Sequence, residues 1–87
     1  MTKLQQAIKS QMSPPYNMDL RYLSIMEENL TDTTKEYIER GNLDLRILAV
    51  LIRDTLSEAE SKERIDKLLW DKLHDQDLVV KLMGEIL

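Results

Sequence analysis

Apolar positions recur at every third or fourth residue along most of the chain, the period of a helix that buries one face. Leu4, Ala7, Ile8 and Met12 predict a first helix from about Lys3 to Met12. Thr2 is its expected N-cap. Ser13-Pro14-Pro15 ends it, since a proline disfavours the α conformation in the residue before it. Met18, Tyr22, Ile25, Met26 and Leu30 predict a second helix over about 18–29, with Leu23 at its edge and Asn17 as cap. Thr31-Asp32-Thr33-Thr34 is a turn cluster. A third helix then runs to Arg40, with Tyr37 and Ile38 inward and Gly41 as a stop of positive φ.

The segment 43–56 has a different pattern. Leu43, Leu45, Ile47, Leu48, Ala49, Val50, Leu51, Ile52 and Leu56 point in most directions around a helical wheel. That pattern predicts a central, buried helix, with Asn42 as its cap. Ser57-Glu58-Ala59-Glu60 matches the capping-box spacing, so a fifth helix is expected to restart at Glu58. Ile65, Leu68, Leu69 and Leu73 form its stripe, and i,i+4 Glu-to-Lys and Glu-to-Arg pairs mark its wet face. Asp75 caps a last helix from Gln76 to Leu87. Its apolar surface has two rows, Leu78–Leu82–Ile86 and Val79–Met83–Leu87.

The segment Asn17–Met26 echoes Asn42–Leu51, with five of ten positions identical. Asp75-Gln76-Asp77-Leu78 repeats the opening. Each copy is also a good helix start: a cap residue, an aspartate in the first turn, then leucine. That explanation needs no repeat, and the irregular offsets favour it, because true repeats recur at a fixed period.

Composition agrees with the periodicity. Fifteen of the 87 residues are leucine and three are valine, while Gly and Pro total four. The expected fold is an all-α bundle of five or six short helices around the central one, in a single domain over residues 1–87. Residues 1–16 are expected to form a peripheral helix and a proline-containing loop. With no cysteine there is no disulfide and no thiolate zinc site. The longest unbroken apolar run is Ile47–Ile52, far short of the roughly 20 residues a membrane span needs. The N-terminus lacks the apolar stretch of a signal peptide, so the expected location is the cytoplasm.

Twelve basic and sixteen acidic residues give a net charge of −4. Residues 1–43 balance to −1 and residues 44–87 to −3, so neither half offers the basic footprint that nucleic acid requires. A helix-turn-helix around Gly41 fails for a second reason: its recognition helix would be the most apolar segment of the chain.

Catalytic chemistry is poorly represented. There is one histidine, and no G-x-S-x-G, Walker or G-x-G-x-x-G motif. Asp71, His74, Asp75 and Asp77 are the one candidate metal cluster, but their spacing matches no ligand loop. The expectation is a chain that is not an enzyme and carries no cofactor. A metal-dependent enzyme centred on His74 is the weakest alternative.

Function is therefore read as binding to another protein, as a small regulator or inhibitor of a larger one. Phage accessory proteins, including antiholin-like lysis regulators, are one group of this kind. The alternative is a self-assembling subunit or homo-oligomer. The candidate contact residues are Trp70, at the edge of its stripe, and the terminal helix through Leu78, Val79, Leu82, Met83, Ile86 and Leu87. Arg46 and Arg53 share one strip of the central helix and complete the set. They serve either as anchors for an acidic partner or as partners of neighbouring carboxylates.

Overall fold

A computed structural model describes residues 2–11, 20–59 and 61–86. They form six α-helices with no strand among the described residues: α1 (Lys3–Gln11), α2 (Leu20–Asn29), α3 (Asp32–Arg40), α4 (Leu45–Glu58), α5 (Ile65–His74) and α6 (Gln76–Ile86), plus a 3₁₀ turn at Lys62–Arg64. Met12, the Ser13-Pro14-Pro15 break, the Asn17 cap and Leu87 lie outside the described residues.

The central helix is where the apolar pattern puts it. Ile47, Leu48, Ala49, Leu51 and Ile52 of α4 are buried, and α1, α5 and α6 all pack against it. The expectation of a peripheral first helix is corrected. Leu4, Ala7 and Ile8 are buried, and α1 lies along α4 as its most extensive neighbour. A three-residue apolar stripe is enough for this because Ala7, at its middle, lets the two backbones come close. Met26 of α2, Leu30 just after it, Ile38 of α3, Ile65, Leu69 and Leu73 of α5, and Leu82 of α6 close the core.

The local starts and stops are mostly side-chain hydrogen bonds. Thr2 Oγ1 accepts from the Gln5 N–H at 3.2 Å, and Gln5 Oε1 accepts from the Thr2 N–H at 3.1 Å. This reciprocal capping box begins α1. Thr31 Oγ1 accepts from the Thr34 N–H at 3.3 Å to begin α3. Asp66 of α5 in turn accepts from the Thr31 N–H at 2.8 Å, which ties the α2–α3 turn to α5. Asp75 caps α6 as expected, accepting from the Leu78 N–H at 3.1 Å.

Four local expectations are corrected. Asp44, not Asn42, caps α4. Its carboxylate accepts from the Arg46 N–H at 2.8 Å and from the Arg46 side chain at 3.2 Å, a charged acceptor held from two sides. Gly41 is extended, with φ −69° and ψ 149°, rather than left-handed. Glycine suits it by closeness, because a Cβ there would sit 3.1 Å from the Tyr37 carbonyl oxygen. Ser57 lies inside α4, where its hydroxyl donates to the Arg53 carbonyl at 3.0 Å instead of capping a new helix. The break comes after Glu58, at Ala59, whose N–H returns to the Thr55 carbonyl. The chain then makes the 3₁₀ turn, and α5 starts at Ile65 rather than at Glu58. Lastly, Tyr37 does not face inward: it is 42% exposed, while Ile38 is 4% exposed. Adjacent helical residues point about 100° apart, and α3 turns Ile38, which has no polar hydroxyl, to the core.

The opening of the first copy lies outside the described residues. The other two segments start their helices at different points of the motif, α4 at Leu45 and α6 at Gln76.

Candidate functional site

The site is built from the outer side of α3, the second half of α5 and the first half of α6. Trp70 and His74 are four residues apart on α5 and therefore share a face. Tyr37, turned outward from α3, meets both. The Tyr37 and His74 rings stack with centroids 4.5 Å apart at 29°. Trp70 and His74 lie 4.2 Å apart at 36°, and Tyr37 and Trp70 5.4 Å apart at 57°. His74 Nδ1 lies 2.9 Å from the Trp70 carbonyl oxygen. A carbonyl only accepts, so Nδ1 carries a proton. The histidine is held as the middle member of an aromatic trio.

Beside the trio, a concave groove of about 390 Å³ runs between the end of α3 and the start of α6. Leu43, Leu48 and Leu73 line it from the core, and Val79 and Val80 form the α6 wall. Tyr37 and Gly41 form part of the other wall and are shared with a shallower depression of about 360 Å³ bounded by Trp70, Glu36 and Arg40. The two depressions make one continuous face.

The exposed apolar surface gathers here. Among the described residues the large exposed apolar side chains are Tyr37 at 42%, Val80 at 67% and Met83 at 44%. Tyr37 and Val80 border the groove, and Met83 follows one turn of helix beyond Val79 on the same side of α6.

The candidate contact residues separate by environment. Leu82 is buried, and Leu78 and Ile86 pack half-buried on the core, so that row docks α6 on α4 and α5. Val79 lines the groove and Met83 is exposed; Leu87 lies outside the described residues. Trp70 is half-buried within the trio. Arg46 and Arg53 are not part of this face. Arg46 is 3.2 Å from Asp44, and Arg53 is 3.1 Å from Asp54. Arg46 donates to the Asp44 carboxylate, which holds that carboxyl below its ordinary range. Among the described residues no three His, Asp or Glu side chains are placed to hold a metal ion. No helix among the described residues is long and apolar enough to cross a membrane.

Tyr37, Val80 and the Gly41–Leu43 segment belong to the face and were not singled out from the sequence. Two signals pointed to them. Tyr37 and Ile38 are neighbours, and only Tyr37 has a polar tip that gains from solvent. Val79 and Val80 are consecutive apolar residues, one more than an amphipathic helix needs at that point. Comparison of the chain with protein-family models, with curated proteins and with solved structures finds no match in any of the three.

Proposed function

We propose that the chain is a protein-interaction module that regulates or inhibits a larger protein, and that it engages that protein through the α3–α5–α6 face. One observation carries the reading. Of the large exposed apolar side chains among the described residues, Tyr37 and Val80 border one groove and Met83 follows on the same side of α6, near a half-buried tryptophan. A tryptophan and a tyrosine beside an aliphatic groove are the residue types that dominate binding energy at protein interfaces. An apolar patch rimmed by polar residues is what a monomeric surface ordinarily avoids.

The test is affinity capture from the cell that makes the protein, with the native chain and with the double variant Val79→Lys and Met83→Lys. Neither side chain belongs to the buried core, so the variant is expected to keep its helical circular dichroism and lose the captured protein. A variant that folds and still captures it places the interface elsewhere.

A self-assembling subunit is the second reading. Val80 and Met83 are exposed, and Gly84 has nothing within 4 Å of where a Cβ would stand, so another α6 backbone could approach closely. Mass in solution separates the two: a defined oligomer that Val79→Lys with Met83→Lys dissolves supports self-assembly, and a monomer supports the module.

A further inference from the structure

We infer that α3 is a hinged strap, which opens as a unit while the rest of the bundle stays folded, and whose closed position limits the groove beside it. The first observation is how little anchors it. Of its residues Thr34 and Ile38 are buried, and Ile38 is the one apolar side chain that α3 gives to the core. By contrast α4 buries Ile47, Leu48, Ala49, Leu51 and Ile52. A helix of nine residues is too short to hold its shape in water without packing. Segments with few buried apolar contacts open locally, at lower cost than unfolding the whole core.

The second observation is how α3 is fastened. It packs on α1 and is tied to α5 by side chains. Before its first residue, the Thr31 N–H and hydroxyl donate to the Asp66 carboxylate at 2.8 and 3.2 Å. In its last turns Tyr37 meets the His74 and Trp70 rings. Just past its end, the Lys3 ammonium of α1 donates to the Gly41 carbonyl. Residues 30–31 and 41–44 on either side are non-helical, which gives the strap a pivot at each end. Tyr37, Ile38 and Gly41 form the α3 wall of the groove, and Leu48 and Leu73, which line it from the core, are 2% and 8% exposed. Opening α3 removes that wall and uncovers both leucines.

Amide hydrogen exchange of the full chain, resolved by residue with NMR at low guanidinium concentrations, tests this. A local opening exposes less surface than global unfolding and so responds less to denaturant. The amides of residues 35–41 are expected to exchange faster than those of residues 48–55 and to accelerate less steeply with guanidinium. Lys3→Met and His74→Ala each remove one fastening from a different neighbour. Each should speed exchange at residues 35–41 by about two- to tenfold. Ile52→Val weakens a core contact outside the groove lining, one that the open strap leaves in place. It should speed exchange at residues 48–55 by about two- to tenfold and leave residues 35–41 at the native rate. Equal rates and equal denaturant dependence for the two segments would overturn the strap. So would an Ile52→Val effect of the same size on both, or exchange at residues 35–41 that neither Lys3→Met nor His74→Ala changes.

Discussion

Single residues in this chain differ in what they hold, and substitutions should separate them. Leu51 is fully buried at the centre of α4. Leu51→Ala is expected to cost about 2–5 kcal/mol, from lost transfer energy and the cavity left behind, enough to unfold much of so small a domain. A melting temperature within a degree of the native chain would show that α4 is not the centre of the core. The two glycines should respond in opposite directions. Gly84 lies inside α6 with open space around it, so Gly84→Ala should stabilise by roughly 0.5–1 kcal/mol. Gly41→Ala puts a Cβ 3.1 Å from a backbone carbonyl, so it should destabilise. Thermal melts of the two variants check both signs.

Asp44 supplies the pH dependence. Its folded-state pKa lies below the ordinary value because it accepts from the Arg46 side chain and backbone. A group with a depressed folded pKa contributes stability above its unfolded pKa, near 3.8, and loses that contribution as pH falls through the folded value. The difference in stability between the native chain and Asp44→Asn should therefore be present at neutral pH and shrink below about pH 4. The pair's contact with solvent and salt keeps the effect small. A difference that persists at pH 2 would show that the carboxylate charge is not what holds the cap.

At the scale of the helix, starts and stops were legible wherever one residue type decides them, and were misplaced where two candidates compete. Thr2 and Asp75 cap as their sequence positions indicate, and Thr31 caps α3 from within the turn cluster. Asn42 and Asp44 are both good caps two residues apart, and the choice depended on whether Arg46 could fold back onto the carboxylate. Ser57 matched a capping box, but α4 had more apolar surface to bury. Continuing the helix keeps Leu56 against the core and places Thr55, fully buried, with its hydroxyl donating to the Leu51 carbonyl at 2.7 Å. Ser57→Ala should accordingly be nearly neutral rather than cost the roughly 0.5–2 kcal/mol of a lost cap. Asp75→Ala, which does remove a cap, should cost that amount. A chemical denaturation series on both variants distinguishes a helix that restarts at Ser57 from one that runs through it.

Across the whole molecule, the all-α bundle and its central helix were readable because helical periodicity records burial directly. The proposed interaction face was only half readable. The sequence singled out residues on its α6 side, Val79 and Met83, and Trp70, because these are apolar residues in excess of what docking a short helix requires. It did not locate the Tyr37 side. Which neighbour of a Tyr-Ile pair turns outward depends on where α3 sits on α1 and α5, and that placement is tertiary. Likewise His74 reads as an isolated titratable group in the chain and becomes a stacked ring only when α3 packs beside α5. The net charge of −4 plays no part in the groove itself, whose lining is uncharged. Binding there should therefore depend little on salt.

If a partner protein covers the face formed by the end of α3, the second half of α5 and the first half of α6, hydrogen exchange measured on the chain alone and in its captured complex will show it. Added protection is expected at the end of α3 with the adjoining Gly41–Leu43 segment and along α6, with α1 and α4 unchanged beyond their existing core protection. Protection gained instead over α1 or the exposed side of α2, with α6 unaffected, would contradict it.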